Sequence, residues 1–459
     1  MDGRRGALLL ITVVELVVLL DATVVNIALP AIGASLGLGE AALSWVTNAY
    51  LLAFGGCMLL GGRAADLLGP RRVFRAGLAL FTVASAAAGL APTATVLIAA
   101  RAAQGVAAAV VVPAQLALLT ATFTAPDARR RAFGVWSAMG ASGAAIGTAL
   151  GGVLTQALGW PSIFLINVPV GVVALGLVAR LLPADPVVTA PRRLDIRGAV
   201  TGTAALVLLG YGLPALHGDP ATAVVTLVAG AVLLVVFLVV EARAAEPVMP
   251  LRLYRIREVS VTAVINALVG AAHVPAFALL ALYLQNTQQY TPVQSGLAVL
   301  PVAVVGIVAA RTALPGVLAR IGGPGALALG LALQAVALAW YALLPPAADY
   351  LTDILLPSLI FGAGLPTAFA GATVPAVTAV GQSDAGIAGG IVGTAQRAGS
   401  GLGVAVVLVL AEAVTTSRGY LAGLHAGFLT TAAFAAAGSA LALALLRPTR
   451  TPQPAGEAP

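Results

Sequence analysis

Apolar residues run through this chain in blocks of about bilayer length, separated by short clusters of Pro, Gly and Arg. The blocks fall at roughly 7–33, 44–62, 73–91, 95–122, 132–157, 162–182, 198–216, 221–240, 259–284, 293–311, 324–344, 350–375, 387–413 and 423–446. About 20 residues of helix cross a hydrocarbon core, so each block predicts one transmembrane helix, fourteen in all. The Pro-interrupted blocks around Pro301 and Pro366 are read as spans too. Met-Asp-Gly-Arg-Arg ahead of an apolar run imitates a signal peptide. That run carries Glu15 and Asp21 and has no small-residue cleavage site, so it predicts a retained first span.

The polar residues between blocks are lopsided in charge. Loops after even-numbered blocks hold Arg63, Arg71, Arg72, Arg75, Arg129, Arg130, Arg131, Arg192, Arg193, Arg197, Arg243, Arg252, Arg255, Arg257 and Arg320, whereas the opposite loops hold Arg418. One miscounted span early in the chain would scramble this asymmetry. Arginine accumulates on the cytoplasmic side, which predicts both termini there, in a bacterial inner membrane. Two longer polar segments, Leu182 to Arg197 and Glu241 to Glu258, divide the blocks as six, two and six. The predicted organisation is a six-helix unit at 1–183, two extra spans with flanking loops at 184–258, a second six-helix unit at 259–446 and a tail at 447–459. A weak internal repeat agrees, Gly62 to Gly69 after the second block being echoed by Gly316 to Gly322 after the tenth, without the acidic residue.

Composition narrows the chemistry. Hydrophobic residues are 60% and charged residues 9% of 459, with a mean hydropathy of +1.02; no soluble domain is built from so few charges. A net charge of +7 would raise nucleic-acid binding in a soluble protein, but here it follows from loop arginines, and no nucleic-acid partner is expected. All 24 basic residues are Arg. Without Lys there is no Walker-type phosphate loop. Cys57 is the single cysteine, in an apolar run, and His217, His273 and His425 are far apart, so no disulfide, metal site or cofactor is expected, nor any recognisable enzymatic centre. The expected partners are the bilayer and a small solute.

Ionisable side chains inside apolar blocks are the remaining candidates, because each costs about 2.5–3.5 kcal/mol at mid-bilayer unless it faces a cavity or a partner. They are Glu15, Asp21, Arg101, Arg397 and Glu412. A buried carboxyl between desolvation, which favours its neutral form, and a nearby cation, which favours the charged one, can bind a proton or a cationic solute in turn. Such competition is the minimum an exchanger needs. Glu15 and Asp21, six residues apart, do not share a helix face. Gly143, Gly147 and Gly151 recur every four residues on one face of the fifth block, with Gly152 next in sequence, and permit close helix approach.

Several stretches resemble the major facilitator superfamily, specifically its fourteen-span drug:proton antiporters. Leu20-Asp21-Ala22-Thr23-Val24-Val25-Asn26-Ile27-Ala28-Leu29-Pro30 is similar to that branch's first-span signature. Gly62 to Arg72 resembles the superfamily's loop between spans two and three, departing at Leu67 and Pro70. Arg101-Ala102-Ala103-Gln104-Gly105 and the glycines of the fifth block, with Thr148 where Pro is common, are similar to its Arg and antiporter motifs. Phe164 to Pro169, Tyr283-Leu284-Gln285 and Ala385 to Arg397 add to the likeness. The resemblance implies an all-α membrane protein with a major-facilitator-type fold: two six-helix bundles plus two additional helices, rocking to give alternating access. It implies Asp21, Glu15, Asn26, Arg101, Gln104 and Arg397 for proton coupling and the substrate cavity. Asp66, Arg71, Arg72, Gly62 and Gly69 would gate, and Gly143, Gly147, Gly151 and Gly152 would pack the antiporter helix. The implied activity is proton-driven export of amphipathic drugs or natural products by a monomer. The rival readings are a transporter of one metabolite and a non-transporting scaffold or sensor, the latter disfavoured by the short loops.

Overall fold

The computed structural model describes residues 3–125, 150–185, 196–244, 249–380 and 385–446, with isolated positions at 128, 132, 135, 136, 139, 147 and 247. Gly143, Thr148, the 129–131 arginines, Arg192, Arg193 and the 447–459 tail lie outside the described residues, as does the side chain of Asp66.

The helices are α1 (Gly3–Leu36), α2 (Glu40–Leu68), α3 (Pro70–Gly89), α4 (Ala94–Thr122), a helical stretch at 150–158, and α5 (Ser162–Leu181), offset by a turn at Ile166. After these come α6 (Ile196–Gly218), α7 (Pro220–Arg243), α8 (Arg257–Leu282), α9 (Pro292–Thr312), α10 (Leu314–Tyr341), α11 (Leu356–Thr378), α12 (Ala385–Arg418) and α13 (Tyr420–Leu445). Among the described residues there is no strand, and ten helices are long and apolar enough to cross a membrane. The helices α2, α3 and α6 fall outside that ten. Three arginines, Arg71, Arg72 and Arg75, open α3.

Local sequence explains the boundaries. Thr291 and Gln294 form a capping box at the start of α9 with Pro292 in the first turn, and the Asp219 side chain caps α7 by accepting from the Thr222 N–H, ahead of Pro220. The segment Gly316 to Gly322, expected as a loop, is helical instead and belongs to α10. A break follows at Gly322 (φ 66°), just before Pro324. The positive φ suits only glycine, and Pro324 then opens the continuing helix, so the predicted start at 324 marks a real kink. Pro301 and Pro366 both lie inside helices, α9 and α11. These two cross closely, since a Cβ on Gly362 would strike the Val302 carbonyl.

Residues 7–182 enclose two apolar clusters, one around Tyr50, Phe54, Phe74 and Phe81, the other around Ile32, Trp160 and Phe164. A third occupies 265–446 around Leu279, Leu331, Tyr341 and Phe428. The pair α6 and α7 packs outside them, with Gly212 against Leu227 and Gly230 against Leu209. In turn α6 lies over both α2 and α12, Gly56 meeting Thr203 and Gly210 meeting Leu52. The outer helix α7 leaves Val224, Val225, Val228, Val232 and Val235 exposed, a surface that water would not tolerate and lipid would.

Candidate functional site

Asp21, midway along α1, is completely buried, and so is Arg101 on α4. Arg101 Nη1 donates to Asp21 Oδ2 at 2.6 Å and to Gln104 Oε1 at 2.9 Å, while its Nε donates to the Val46 carbonyl at 2.9 Å. Gln104, one turn further along α4, donates to Asp21 Oδ1 (3.0 Å) and Ser85 (2.8 Å), and Asn167 from α5 donates to the same Oδ1 (2.8 Å). Five helices therefore meet at one carboxylate: α1 supplies it, α4 the cation and an amide, α5 a second amide, α3 a hydroxyl and α2 a carbonyl. The Arg101 guanidinium also lies over the Tyr50 ring, 4.3 Å from its centroid. An ion pair out of water is tolerable only with such hydrogen bonding around it.

Two further ionisable side chains, Glu15 of α1 and Arg397 of α12, stand outside this network. Glu15 is buried, and its Oε2 has no hydrogen bond among the described residues. Arg397 is half-buried, with its guanidinium 4.4 Å from the centroid of the Phe54 ring, and the close approach of α2 and α12 at Gly55 and Ala398 places it there. The Tyr50 hydroxyl donates to the Val18 carbonyl at 3.3 Å, and its ring meets Phe54 edge-on. Asn26 is buried with Oδ1 unmatched and takes no part in the Asp21 network. Beside the Val46 carbonyl, Thr47 and Asn48 are buried with unmatched polar atoms as well.

In the loop after α2, Gly69 has φ 92° and leaves room for Asp185, whose carboxylate accepts from the backbone N–H groups of Arg71 (2.7 Å) and Arg72 (3.1 Å). Arg71 Nη2 donates to the Ala179 carbonyl of α5 at 2.8 Å. The start of α3 is thus tied to the end of α5 by Asp185. Gly62 lies on α2 near Pro113 of α4. Further along, Gly147 and Gly151 pack on Leu20, Thr23 and Val24 of α1, and a Cβ on Gly152 would strike the Pro292 carbonyl. Near that contact Gln285 Nε2 donates to the Ile27 carbonyl at 3.0 Å.

Sequence reasoning reaches Asp21, Arg101 and Gln104, which the structure joins by hydrogen bonds, and Glu15, Asn26 and Arg397, which take no part in that network. It does not single out Ser85, Asn167, Tyr50 or Asp185, and it reads His273 as isolated. In the structure His273 of α8 hydrogen-bonds through Nε2 to Gln334 Oε1 of α10, stacks on Phe369 and meets Phe361 edge-on.

Apolar helices arranged around a buried, multiply hydrogen-bonded ion pair define a multi-pass membrane protein of the transporter kind. The sequence matches the Major Facilitator Superfamily over residues 11–404, and the chain belongs to that family. It is 39% identical to the cephamycin export protein CmcT of Amycolatopsis lactamdurans over 452 residues, 96% of this chain and 91% of that protein. It is also 39% identical to the puromycin resistance protein pur8 of Streptomyces alboniger over 433 residues, 92% of this chain and 84% of that one. The crystal structure of a single-residue mutant of the nucleoside transporter NupG shares the fold, with a TM-score of 0.69 at 12% identity, covering 97% of this chain and 100% of that one.

Proposed function

We propose that the chain exports small amphipathic drugs or natural products from a bacterial cell in exchange for protons, by alternating access. The topology proposed is fourteen spans grouped six, two and six, with both termini cytoplasmic. The observation that carries this reading is the buried Asp21–Arg101 pair with its three flanking side chains. Charge at this depth is expensive and marks a functional path in membrane proteins. Relatives named for antibiotic export and resistance supply the direction and the class of cargo. Thr47 and Asn48, which follow Val46 on α2 and are buried with polar atoms unmatched among the described residues, offer hydrogen bonds to a solute.

In this topology the contacts of Gln285 with Ile27 and of Gly152 with Pro292 lie toward the outside. They support a conformation closed on that side, with α1 and the glycine face of the fifth span forming the seal. Asp66, Arg71 and Arg72 belong in this reading to the opposite, cytoplasmic gate.

The test is ethidium uptake by everted membrane vesicles with an acidified interior, at matched protein levels. Uptake is expected from vesicles containing the protein, abolished by a protonophore and lost in Asp21→Asn. Uptake indifferent to the protonophore would refute proton coupling, and no uptake would count against export of cationic drugs.

A further inference from the structure

The helices α6 and α7 form an antiparallel hairpin: a Cβ on Gly202 would meet the Phe237 ring, one on Gly230 would meet Leu209 and one on Gly212 would meet Leu227. That pairing brings Arg197, in the first turn of α6, to the end of the hairpin where Arg243 closes α7. Arg243 also ends a stripe. Val228, Val232, Val235 and Val239 recur every three or four residues along α7 and all are exposed, so one apolar face runs into the charge.

Beyond α7 the chain folds back on itself. Buried Glu241 accepts from the Met249 N–H through Oε2 at 2.8 Å, which sets the 3-10 helix Leu251–Arg255 next to the end of α7. Leu253 is buried in a cluster with Val259 of α8, Ala376 of α11 and Ile391 of α12. The Tyr254 hydroxyl donates to Met249 Sδ at 3.2 Å, and the Ser260 hydroxyl donates to the Tyr254 carbonyl. Residues three apart in a 3-10 helix share a face, so with Leu253 turned inward Arg252 and Arg255 lie on one side, and both are exposed. Arg257, which opens α8, is exposed as well. Arg197, Arg243, Arg255 and Arg257 form no ion pair among the described residues. Of the nearby carboxylates, Glu241 is turned to Met249, Glu258 is half-buried, and Asp195 and Glu246 lie outside the described residues. Orientation in the membrane asks only for arginine on this side. It does not ask that the turn be anchored by a buried carboxylate and a buried leucine.

We propose that this end of the molecule is a binding site for an anionic phospholipid. Arg252 and Arg255 hold its phosphate, with Arg243 and Arg197 beside them, and its acyl chains lie along the valine stripe of α7. A guanidinium presents two N–H donors at once to phosphate oxygens, and about four or more basic residues at the end of a membrane helix attract anionic lipid. A lipid seated there touches both the hairpin and the 3-10 turn packed on α8, α11 and α12, and so ties the hairpin to residues 257–446. The site requires only that the chain cross a bilayer; it is independent of cargo and of proton coupling.

The test is binding of chain-labelled fluorescent phosphatidylglycerol or phosphatidylcholine to the purified full-length chain in neutral detergent, followed by anisotropy. Phosphatidylglycerol is expected to bind more tightly. Arg252→Gln combined with Arg255→Gln should weaken it about fivefold for each arginine removed, whereas Arg75→Gln, which removes an exposed arginine of α3, should leave it unchanged. Equal affinity for the two lipids, or an equal loss in Arg75→Gln, would overturn the proposal, since binding would then follow apolar contact or net charge alone. If the double variant does not assemble, the wild type decides: added salt should release phosphatidylglycerol and leave phosphatidylcholine, and indifference to salt would contradict a site built from arginines. Glycerol phosphate, a headgroup without chains, should not displace the lipid at equal concentration. Displacement would mean that the arginines take a soluble phosphate and that the valine stripe has no part.

Discussion

In residues 3–182 the buried polar centre is an ion pair, Asp21 with Arg101, enclosed by Gln104, Asn167, Ser85 and the Val46 carbonyl. In residues 257–446 the buried polar contacts join groups with no carboxylate among them: His273 with Gln334, Asn266 with the Ala372 carbonyl, Tyr341 with Ser358, and Ser439 with the Ala328 carbonyl. Both regions satisfy the rule that polar groups in lipid find protein partners. They do so at different electrostatic stakes. Where a charge is buried, several helices must converge on it, and removing one member leaves the other charged and stranded. Where the partners are neutral, each bond joins two helices and its loss is local. Arg397 is the exception in the second region: it has no hydrogen bond or ion pair among the described residues, and its guanidinium reaches the Phe54 ring of the first region at 4.4 Å.

The strongest way to break the comparison is to remove one partner from each centre. Arg101→Ala strands the Asp21 carboxylate and is expected to destabilise the protein by about 3–5 kcal/mol, seen as a large fall in thermal stability and in membrane level. His273→Ala removes a neutral partner from Gln334 and is expected to cost about 1–3 kcal/mol. Asp21→Asn combined with Arg101→Gln should be less harmful than Arg101→Ala alone, because no lone charge remains. Equal losses at Arg101 and His273 would mean that the charge adds nothing and the contrast is one of packing only.

How much of this is legible in the sequence follows from the residue types. Charged side chains inside apolar blocks announce themselves, so Asp21, Glu15, Arg101 and Arg397 can be picked out, with Gln104 one turn from Arg101. Ser85 cannot, and Asn167 shows only as part of the Phe164 to Pro169 likeness with no role attached, because a neutral polar residue costs too little in a helix to stand out from packing, and only the crossing of α3, α4 and α5 brings them together. His273 reads as isolated, since nothing in the chain pairs position 273 with Gln334. Asp185 sits in a stretch that reads as a loop, and its capping of a helix over a hundred residues away depends on tertiary contact. Ten of the apolar blocks correspond to helices long and apolar enough to cross a membrane among the described residues, whereas at Gly316 to Gly322, where a polar loop is expected, helix continues to the break at Gly322.

A smaller effect sharpens the comparison at the contact between the two regions. A side chain at Gly152 has no room against Pro292, so Gly152→Val should push α9 away at a cost of about 1–3 kcal/mol of strain while leaving both polar centres intact. The readout is labelling of Val293→Cys by a membrane-impermeant maleimide, in a Cys57→Ser background so that no native thiol competes. Labelling should rise when Gly152→Val is added. Unchanged labelling would show that the two regions do not depend on this contact to stay closed.

The smallest expected effect lies at the rim, where charge is present but wet. Asp185 faces Arg72 at 3.8 Å, yet the Arg72 side chain is 82% exposed, and an exposed ion pair contributes about 0–1 kcal/mol. The two backbone N–H groups from which Asp185 accepts are the firmer contact, because the first-turn N–H groups of α3 have no acceptors within their own helix. Asp185→Ala should therefore cost about 0.5–2 kcal/mol, in the range of a lost helix cap. Asp185→Asn, which keeps an acceptor oxygen, should recover most of that loss, and Arg72→Ala should change thermal stability little. Added salt separates the two contributions, since it screens the exposed pair and leaves the cap alone. If Arg72→Ala matched Asp185→Ala and salt abolished both effects, the rim would be held by charge as the buried centre is, and the distinction drawn between depth and surface would fail here.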